Sequence, residues 1–351
     1  MERSGSGSSG ILIRVDPLTH GLLGATVAQA VMPASEGRKA LLLGAAAGML
    51  ADADVLLRFW SDPALPWEVH RHATHALVFA PLGGLIAALP FLLLVRAWRA
   101  RGMRTMLAAS LAYATHGLLD ACTSYGTSLL LPFSGARAAW DVIAILDPLF
   151  TLMLGAGMLL AAWRLRKAPA FAALALCAAY LGLGWRQHTA AMDEVLRLAA
   201  SRGHVVERAR ALPTPMNLVV WRGLYVAQGR IYADGGRVPI LGAPRFTPGT
   251  SVPLLAPEAG PATGRDDARA ARIADVEARF ERFADGFAAR DPERPDVLAD
   301  MRYSLEVTSF SPLWGIRVGA SNAGGDPVSW VDLAADRRAA LRRMWEDLRR
   351  H

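Results

Sequence analysis

The sequence predicts a mainly α-helical fold: a polytopic membrane bundle of about six helices, followed by a soluble α+β domain. Two observations support this prediction. The 351 residues are 53% hydrophobic, and the long apolar stretches lie in the first half of the chain. Charged residues are distributed the opposite way, since residues 1–189 hold 25 Asp, Glu, Lys and Arg and residues 190–351 hold 44. Such a contrast favours one membrane-embedded region and one water-exposed region.

Six apolar stretches account for the predicted bundle. Each has about 16–22 residues, near the length that crosses a hydrocarbon core of about 30 Å. They cover residues 17–33, 40–58, 74–95, 105–122, 148–163 and 170–187. The first two contain Gly, Ala and polar residues, so partly buried helices remain an alternative for them, as does a soluble bundle for the whole region. The predicted organisation is a flexible leader (1–15), a membrane-embedded metal-binding helical domain (16–188) and a soluble α+β domain (189–351).

Basic residues in the predicted connections set the orientation. The connections after the first, third and fifth stretches hold nine Lys and Arg, whereas the other two hold three. Because positive charges accumulate on the cytoplasmic side, this bias predicts a multi-pass protein of the bacterial inner membrane. The C-terminal domain then lies on the periplasmic side, together with the candidate metal site described next.

Overall composition excludes several classes. The net charge of +7 is spread without a basic block, so no nucleic-acid partner is expected. Two cysteines, Cys122 and Cys177, exclude a disulfide framework and a zinc site made of four thiolates.

Most histidines and acidic residues of the apolar half fall at one predicted membrane level. They lie at the outer ends of the first four helices or just before the fifth: His20, Asp52, Asp54, His70, His72, His75, His116, Asp120, Asp141 and Asp147. Ionisable residues at membrane depth are costly, so they indicate a functional site. Imidazole and carboxylate without thiolate are typical ligands of catalytic zinc and related divalent ions. His116 and Asp120, four residues apart, share one helix face.

Some of these residues have a structural interpretation as well. Asp147 precedes Pro148 and could cap a helix. His72 could be an exposed loop residue, and Asp141 could pair with Arg137. The hydroxyls of Thr123, Tyr125 and Thr127, beside the flexible Gly126, could hold a phosphate or form a polar turn leaving the membrane.

Four motifs in order carry a resemblance to a known family. They are Asp16-Pro17-Leu18-Thr19-His20-Gly21, Asp52-Ala53-Asp54, His70-Arg71-x-x-Thr74-His75, and His116-x-x-x-Asp120-x-x-Thr123-Ser124-Tyr125-Gly126-Thr127. Over residues 16–190 the chain resembles the YdjM-type family of bacterial membrane-bound, metal-dependent hydrolases. That family is regarded as related to zinc-dependent phospholipase C and single-strand-specific zinc nucleases.

The resemblance implies a helical phosphoesterase-like site with one to three divalent metal ions, zinc above all and manganese as an alternative. The matching metal-ligand positions are His20, Asp52, Asp54, His70, His75, His116 and Asp120. His72 stands where the family usually has a small residue, and Ala76 where Ser is common. The first departure adds a further candidate ligand, and the second removes a candidate hydrogen bond to a ligand.

The C-terminal half predicts strand-like runs and helices over residues 189–203, 266–288 and 330–349. The apolar face of the second helix contains Val276, Phe280 and Phe283. This half carries no catalytic constellation of its own.

Two functions follow from the apolar half. The first is a metal-dependent hydrolase of a phosphoester in a lipid or amphiphilic molecule, with a metal-activated water and Asp54 or Asp120 as general base. The alternative is divalent-cation transport or sensing through the same residues. We favour the hydrolase, because a transporter should continue polar groups through the inner half of the bundle.

Overall fold

A computed structural model describes residues 17–59, 65–255, 265–304, 306–319, 327–333 and residue 342. The chain divides into two compact units, each treated separately below. The helical unit contains Asp16–Thr189 and Pro213–Leu218, and the mixed unit contains Ala190–Leu212 and Val219–His351. The predicted leader (1–15), Asp16 and most of the predicted helix 330–349 lie outside the described residues.

The helical unit is built from helices joined by short 3₁₀ segments. The α-helices are α1 (Pro17–Val31), α2 (Gly37–Leu50), α3 (Leu65–Val69), α4 (Ala80–Leu94), α5 (Arg96–Arg99), α6 (Gly102–Ala121), α7 (Pro148–Arg164) and α8 (Ala168–Ser201), of which α8 continues into the mixed unit. The 3₁₀ segments cover Ala34–Glu36, Ala51–Phe59, Ala73–His75 and Leu77–Phe79.

The prediction of six membrane-spanning helices is wrong. Among the described residues, two helical segments are long and apolar enough to cross a membrane: Leu77–Leu94 and α8. The helix α7 is apolar but shorter. The fold is therefore not a six-helix polytopic bundle, and it adds two sheets in the C-terminal region.

Helix length and burial explain the difference. With a rise of 1.5 Å per residue, the 15 residues of α1 and the 14 of α2 reach only about 21–23 Å. Both helices are rich in small buried residues, and α2 gives way to 3₁₀ geometry at Ala51. The helix α6 has 20 residues but carries Arg104, His116 and Asp120. A hydropathy pattern cannot separate a buried core helix of this kind from a membrane span.

Close glycine contacts hold α1 against α2. A side chain at Gly24 would collide with the backbone of Gly44, and one at Gly48 would collide with the carbonyl of His20. Since glycine lacks Cβ, it permits this approach of two backbones. The contact brings His20 on α1 beside the end of α2, from which the acidic segment Ala51–Phe59 continues.

The mixed unit contains two sheets and one further helix, α9 (Arg265–Phe283). The first sheet joins β1 (Arg208–Pro213), β2 (Val220–Ala227), β3 (Arg230–Arg237) and β4 (Arg245–Thr247) in that order, with β5 (Ser251–Pro253) also on β3. The second joins β6 (Ala288–Arg290), β7 (Val297–Asp300), β8 (Trp314–Val318) and β9 (Val328–Asp332). The pairing of β2 with β3 and all pairings of the second sheet are antiparallel.

The apolar face predicted for the C-terminal helix is buried. Val276, Phe280 and Phe283 on α9 are all buried, while the helix ends at Phe283, before the predicted residue 288. Leu224, Ile231 and neighbouring residues form the core of the sheets. Periodicity identified this helix because a surface helix needs one apolar stripe toward its core.

Candidate metal centre

Four separate elements bring the seven predicted metal ligands together. The helix α1 supplies His20, and the 3₁₀ segment Ala51–Phe59 supplies Asp52 and Asp54. The stretch around Ala73–His75 supplies His70 and His75, and α6 supplies His116 and Asp120. Three groups of these residues have ligand atoms close enough to hold a metal ion: His20, His116 and Asp120; Asp52, His75 and His116; and Asp52, Asp54 and His70.

Four distances in the central arrangement fall in the range expected between ligands of one metal ion. His75 Nε2 lies 3.6 Å from Asp52 Oδ1 and 3.2 Å from Asp120 Oδ2. His116 Nε2 lies 3.3 Å and 3.5 Å from the same two oxygens. A tetrahedral zinc ion with bonds of about 2.0–2.1 Å sets its ligand atoms about 3.3–3.4 Å apart. These four of the six distances among the ligand atoms agree with that spacing within about 0.3 Å.

The hydrogen bonding of these atoms also fits a metal. Nε2 of His75, Nε2 of His116, Oδ1 of Asp52 and Oδ2 of Asp120 are buried and have no hydrogen-bond partner. Buried polar atoms are normally hydrogen-bonded, because an unpaired buried group costs about 1–3 kcal/mol. A divalent cation would satisfy all of them at once, so the residues present fit such an ion.

Two further pairs flank this centre. His20 Nε2 lies 3.3 Å from Asp120 Oδ1, and the His20 ring stacks on the His116 ring at 3.8 Å. On the other side, His70 Nδ1 lies 3.0 Å from Asp54 Oδ1. The three groups overlap, since His116 belongs to two of them and Asp52 to two, and the number of ions stays a prediction.

Neighbouring groups orient the ligands. His116 Nδ1 lies 2.6 Å from the carbonyl oxygen of Gly48, so Nδ1 carries the proton and Nε2 is left to bind. The Thr74 hydroxyl donates to Asp54 Oδ2 at 3.0 Å and lies 3.0 Å from His75 Nδ1. Tyr113 in turn donates to the carbonyl of Thr74 at 2.6 Å. These contacts hold the rings and carboxylates in ligating orientations before any ion binds.

Arg71 is a residue that sequence reasoning did not select. Its side chain is 1% exposed, and Nη2 lies 3.0 Å from Asp120 Oδ1. Nη1 donates to the Thr123 hydroxyl at 2.8 Å, and the guanidinium faces the Tyr125 ring at 4.9 Å. The available signal was its place beside His70 in the third motif, because a buried arginine among acids favours an anion site.

The carboxylates are held in their ionised form. Burial alone would raise the pKa of Asp52, but the imidazoles of His116 and His75 outweigh it and hold that pKa below its usual range. Burial also opposes ionisation of Asp120, yet the charge of Arg71 keeps the pKa of this carboxyl well below its usual range. Ionised carboxylates are the form that binds divalent cations.

The residues proposed around the ligands have different surroundings. Thr123, Tyr125 and Thr127 are buried, and the Thr123 hydroxyl donates to the carbonyl of Asp120 at 2.7 Å. His72 is exposed, which agrees with its structural interpretation. Asp141 is buried and has a positive φ of 54°.

Asp147 caps α7. Its carboxylate accepts from the Phe150 N–H at 3.0 Å and from the Tyr180 hydroxyl at 2.7 Å. This is the structural alternative that the Asp-Pro pattern predicted. A role for Asp147 in substrate binding stays a prediction.

With this geometry established, comparison with known proteins identifies the family. The family described as "YdjM inner membrane protein" matches residues 15–191, slightly more than half of the chain. The chain belongs to the YdjM inner membrane protein family. The match covers all seven predicted ligands and ends near the boundary of the helical unit. No match is found among curated proteins or among solved structures.

Proposed function

We propose that this YdjM-family protein is a membrane-integral, metal-dependent hydrolase of a phosphoester in a lipid or amphiphilic molecule. The observation that carries the proposal is the convergence of two imidazole nitrogens and two carboxylate oxygens, 3.2–3.6 Å apart in the four nitrogen–oxygen distances and without hydrogen-bond partners. Zinc or manganese held there would supply a water of lowered pKa and would polarise a phosphoryl oxygen.

Residues of the chain have the remaining roles, which are metal binding, charge stabilisation and proton acceptance. His75, His116, Asp52 and Asp120 would hold the ion, and the buried charge of Arg71 would stabilise negative charge that develops on the phosphoryl group. Asp54 and Asp120 remain the candidates for the general base that accepts the proton of water. Asp54 is held by contacts with His70, the Arg71 N–H and Thr74, and Asp120 is held by Arg71, so these contacts do not separate the two candidates.

Membership of an inner membrane family supports an amphiphilic substrate, because a phosphoester in a lipid is already present at the membrane. The resemblance to zinc-dependent phospholipases and nucleases supports the same reaction class. The periplasmic side predicted for the centre depended on six alternating spans, whereas the described residues contain two candidate spans, so the proposed function does not rest on that side.

The three overlapping ligand groups also suit a protein that binds divalent cations for transport or sensing. Against transport, α4 contains no ionisable residue, and α7 contains only Arg164 at its end. A continuous ion path needs polar groups along neighbouring helices. The hydrolase therefore remains the better supported function.

Turnover by the full-length protein in detergent tests the proposal. The protein is loaded with zinc or manganese and given a water-soluble phosphodiester or phospholipid vesicles. We expect metal-dependent release of the phosphorylated product, loss of it in His116→Ala, and near wild-type rates in His72→Ala, whose side chain is exposed.

Two other results would contradict the proposed hydrolase. Stoichiometric metal without turnover, combined with metal flux into proteoliposomes, would establish the transport alternative. Folded wild-type protein that binds neither ion would overturn the metal centre itself.

A further inference from the structure

The chain leaves the metal centre through a loop with an apolar, exposed tip. This loop, residues 128–137, is closed at its base by backbone pairing of Thr127 with Ala138, at 2.9 Å and 2.8 Å. At the tip, the side chain of Phe133 is 85% exposed and that of Leu130 is 55% exposed. Just past the base, Trp140 is 38% exposed.

The base of the 128–137 loop is attached to the candidate metal centre. The Ser128 N–H donates to the carbonyl of Arg71 at 2.9 Å, and the Leu77 N–H donates to the carbonyl of Leu129 at 3.0 Å. Arg137 Nη2 donates to the carbonyl of His70 at 3.3 Å. The loop therefore connects two site residues, His70 and Arg71, with an apolar surface.

The chemistry of the tip favours lipid as its surroundings. A phenylalanine side chain gains about 1.5–3 kcal/mol when it leaves water, so one on a loop tip is costly without a covering partner. Tryptophan, as at position 140, is enriched at the membrane–water interface. The guanidinium of Arg137 brings positive charge to the base of the loop, where it would attract an anionic headgroup.

We propose that the 128–137 loop inserts its tip into the lipid bilayer and that a lipid phosphoester reaches the metal centre along its base, past Arg137. The tip has two large apolar side chains. The area that they can bury is far smaller than the about 1,200–2,000 Å² of a stable protein–protein interface. That small area suits a shallow lipid contact in a chain already in the membrane. Access for substrate rests on the proposed hydrolase function, but insertion of the loop does not.

Insertion is measured first, without reference to activity. Phe133→Cys is labelled with a polarity-sensitive fluorophore in full-length protein, reconstituted in vesicles of phosphatidylethanolamine and phosphatidylglycerol. The native Cys122 and Cys177 are buried, and unmodified wild type corrects for their labelling. Spin-labelled lipids and aqueous iodide then report the depth of the label.

Two matched positions calibrate the depth. Leu89→Cys lies on the candidate span Leu77–Leu94, and Gln228→Cys lies in the exposed turn between β2 and β3. We expect the label at position 133 to be quenched by lipid, as at position 89, and to be protected from iodide. Quenching like that at position 228 would overturn the proposal, and iodide protection lost on dilution of the protein would show instead that a second copy covers the tip.

Access is measured with Phe133→Ser and Leu130→Ser. We expect the ratio of phospholipid turnover to soluble-phosphodiester turnover to fall about tenfold in each, the order expected for loss of one apolar side chain from lipid. An unchanged ratio would remove the access role. If wild type hydrolyses neither substrate, the proposed function fails, while the fluorescence result still decides whether the loop inserts.

Discussion

The two units differ in how completely their buried ionisable groups are paired. In the mixed unit, Asp300 accepts from Arg302 Nε at 2.9 Å and from its Nη2 at 2.7 Å, and Asp234 accepts from both terminal nitrogens of Arg202 at 2.7 Å and 2.8 Å. In the helical unit, Arg71 also pairs with Asp120 Oδ1 at 3.0 Å, but the ligand atoms of Asp52 and His116 are buried without a hydrogen-bond partner.

This difference separates a structural ion pair from a binding site. A paired arginine and carboxylate satisfy each other, so they need nothing further and indicate only a specific fold. Imidazole nitrogens and carboxylate oxygens that converge at metal-ligand spacing retain their capacity to bind. A lack of hydrogen-bond partners for buried polar atoms therefore indicates a binding site more reliably than burial or charge alone does.

The strongest test of the comparison is to remove one charged ligand from the centre. Asp52→Asn keeps the size of the side chain but removes its charge, so we expect zinc affinity to fall by more than the roughly 10–100-fold typical of supporting residues. Titration of the full-length protein with zinc measures it. Asp296→Asn, at an exposed pair with Arg317, is the control and should bind as wild type does. Wild-type affinity in Asp52→Asn would remove Asp52 from the ligands.

For the buried Asp300–Arg302 pair of the mixed unit, we expect a mutation to reduce stability and to leave zinc affinity unchanged. Asp300→Ala leaves Arg302 buried without its partner, which should cost about 3–5 kcal/mol of the free energy of unfolding. Urea titration followed by limited proteolysis of the mixed unit measures the loss, and zinc affinity should not change. The exposed pair provides the control, since Asp296→Ala should cost about 1 kcal/mol or less. A stable Asp300→Ala protein would contradict the structural interpretation of this pair.

Backbone packing beneath the ligands provides a third test. A Cβ at Gly117 would collide with the carbonyl of His75, so Gly117→Ala must displace a ligand-bearing segment. We expect zinc affinity to fall by about 100-fold, the upper end for groups that support ligands. Gly102→Ala lies on the same helix with nothing within 4 Å of the added Cβ, and it should have no such effect. Equal affinities in the two variants would show that the position of His75 does not matter.

The smallest effect is expected for a hydroxyl that orients ligands. Thr74→Val preserves shape but loses the contacts with Asp54 and His75, and zinc affinity should fall about tenfold. Thr115→Val removes a hydroxyl that bonds within α6 to the carbonyl of Ala112, and it serves as the control. If both valine variants bind zinc equally, Thr74 does not orient the ligands.

Local sequence patterns predicted which residues form the centre but not how those residues contact one another. The spacing of His116 and Asp120 placed both on one helix face, and their contact is a direct consequence of helical geometry. Asp52 and Asp54 diverge on a regular helix, so only the 3₁₀ segment explains how both reach the cluster. The burial of Arg71 has no local signal, because it depends on Asp120 and Thr123 far along the chain.

By itself, the sequence determined the residue types of the candidate centre, the division of charge between the two halves, the family and the amphipathic face of α9. These depend on composition and on periods within one element. The tertiary structure decided which apolar stretches are long enough to span a membrane and which histidine nitrogens are available to bind. It also decided that His72 is exposed. The physical reason is that a core helix and a membrane span have the same apolar composition, and convergence of ligands from four elements depends on how those elements pack.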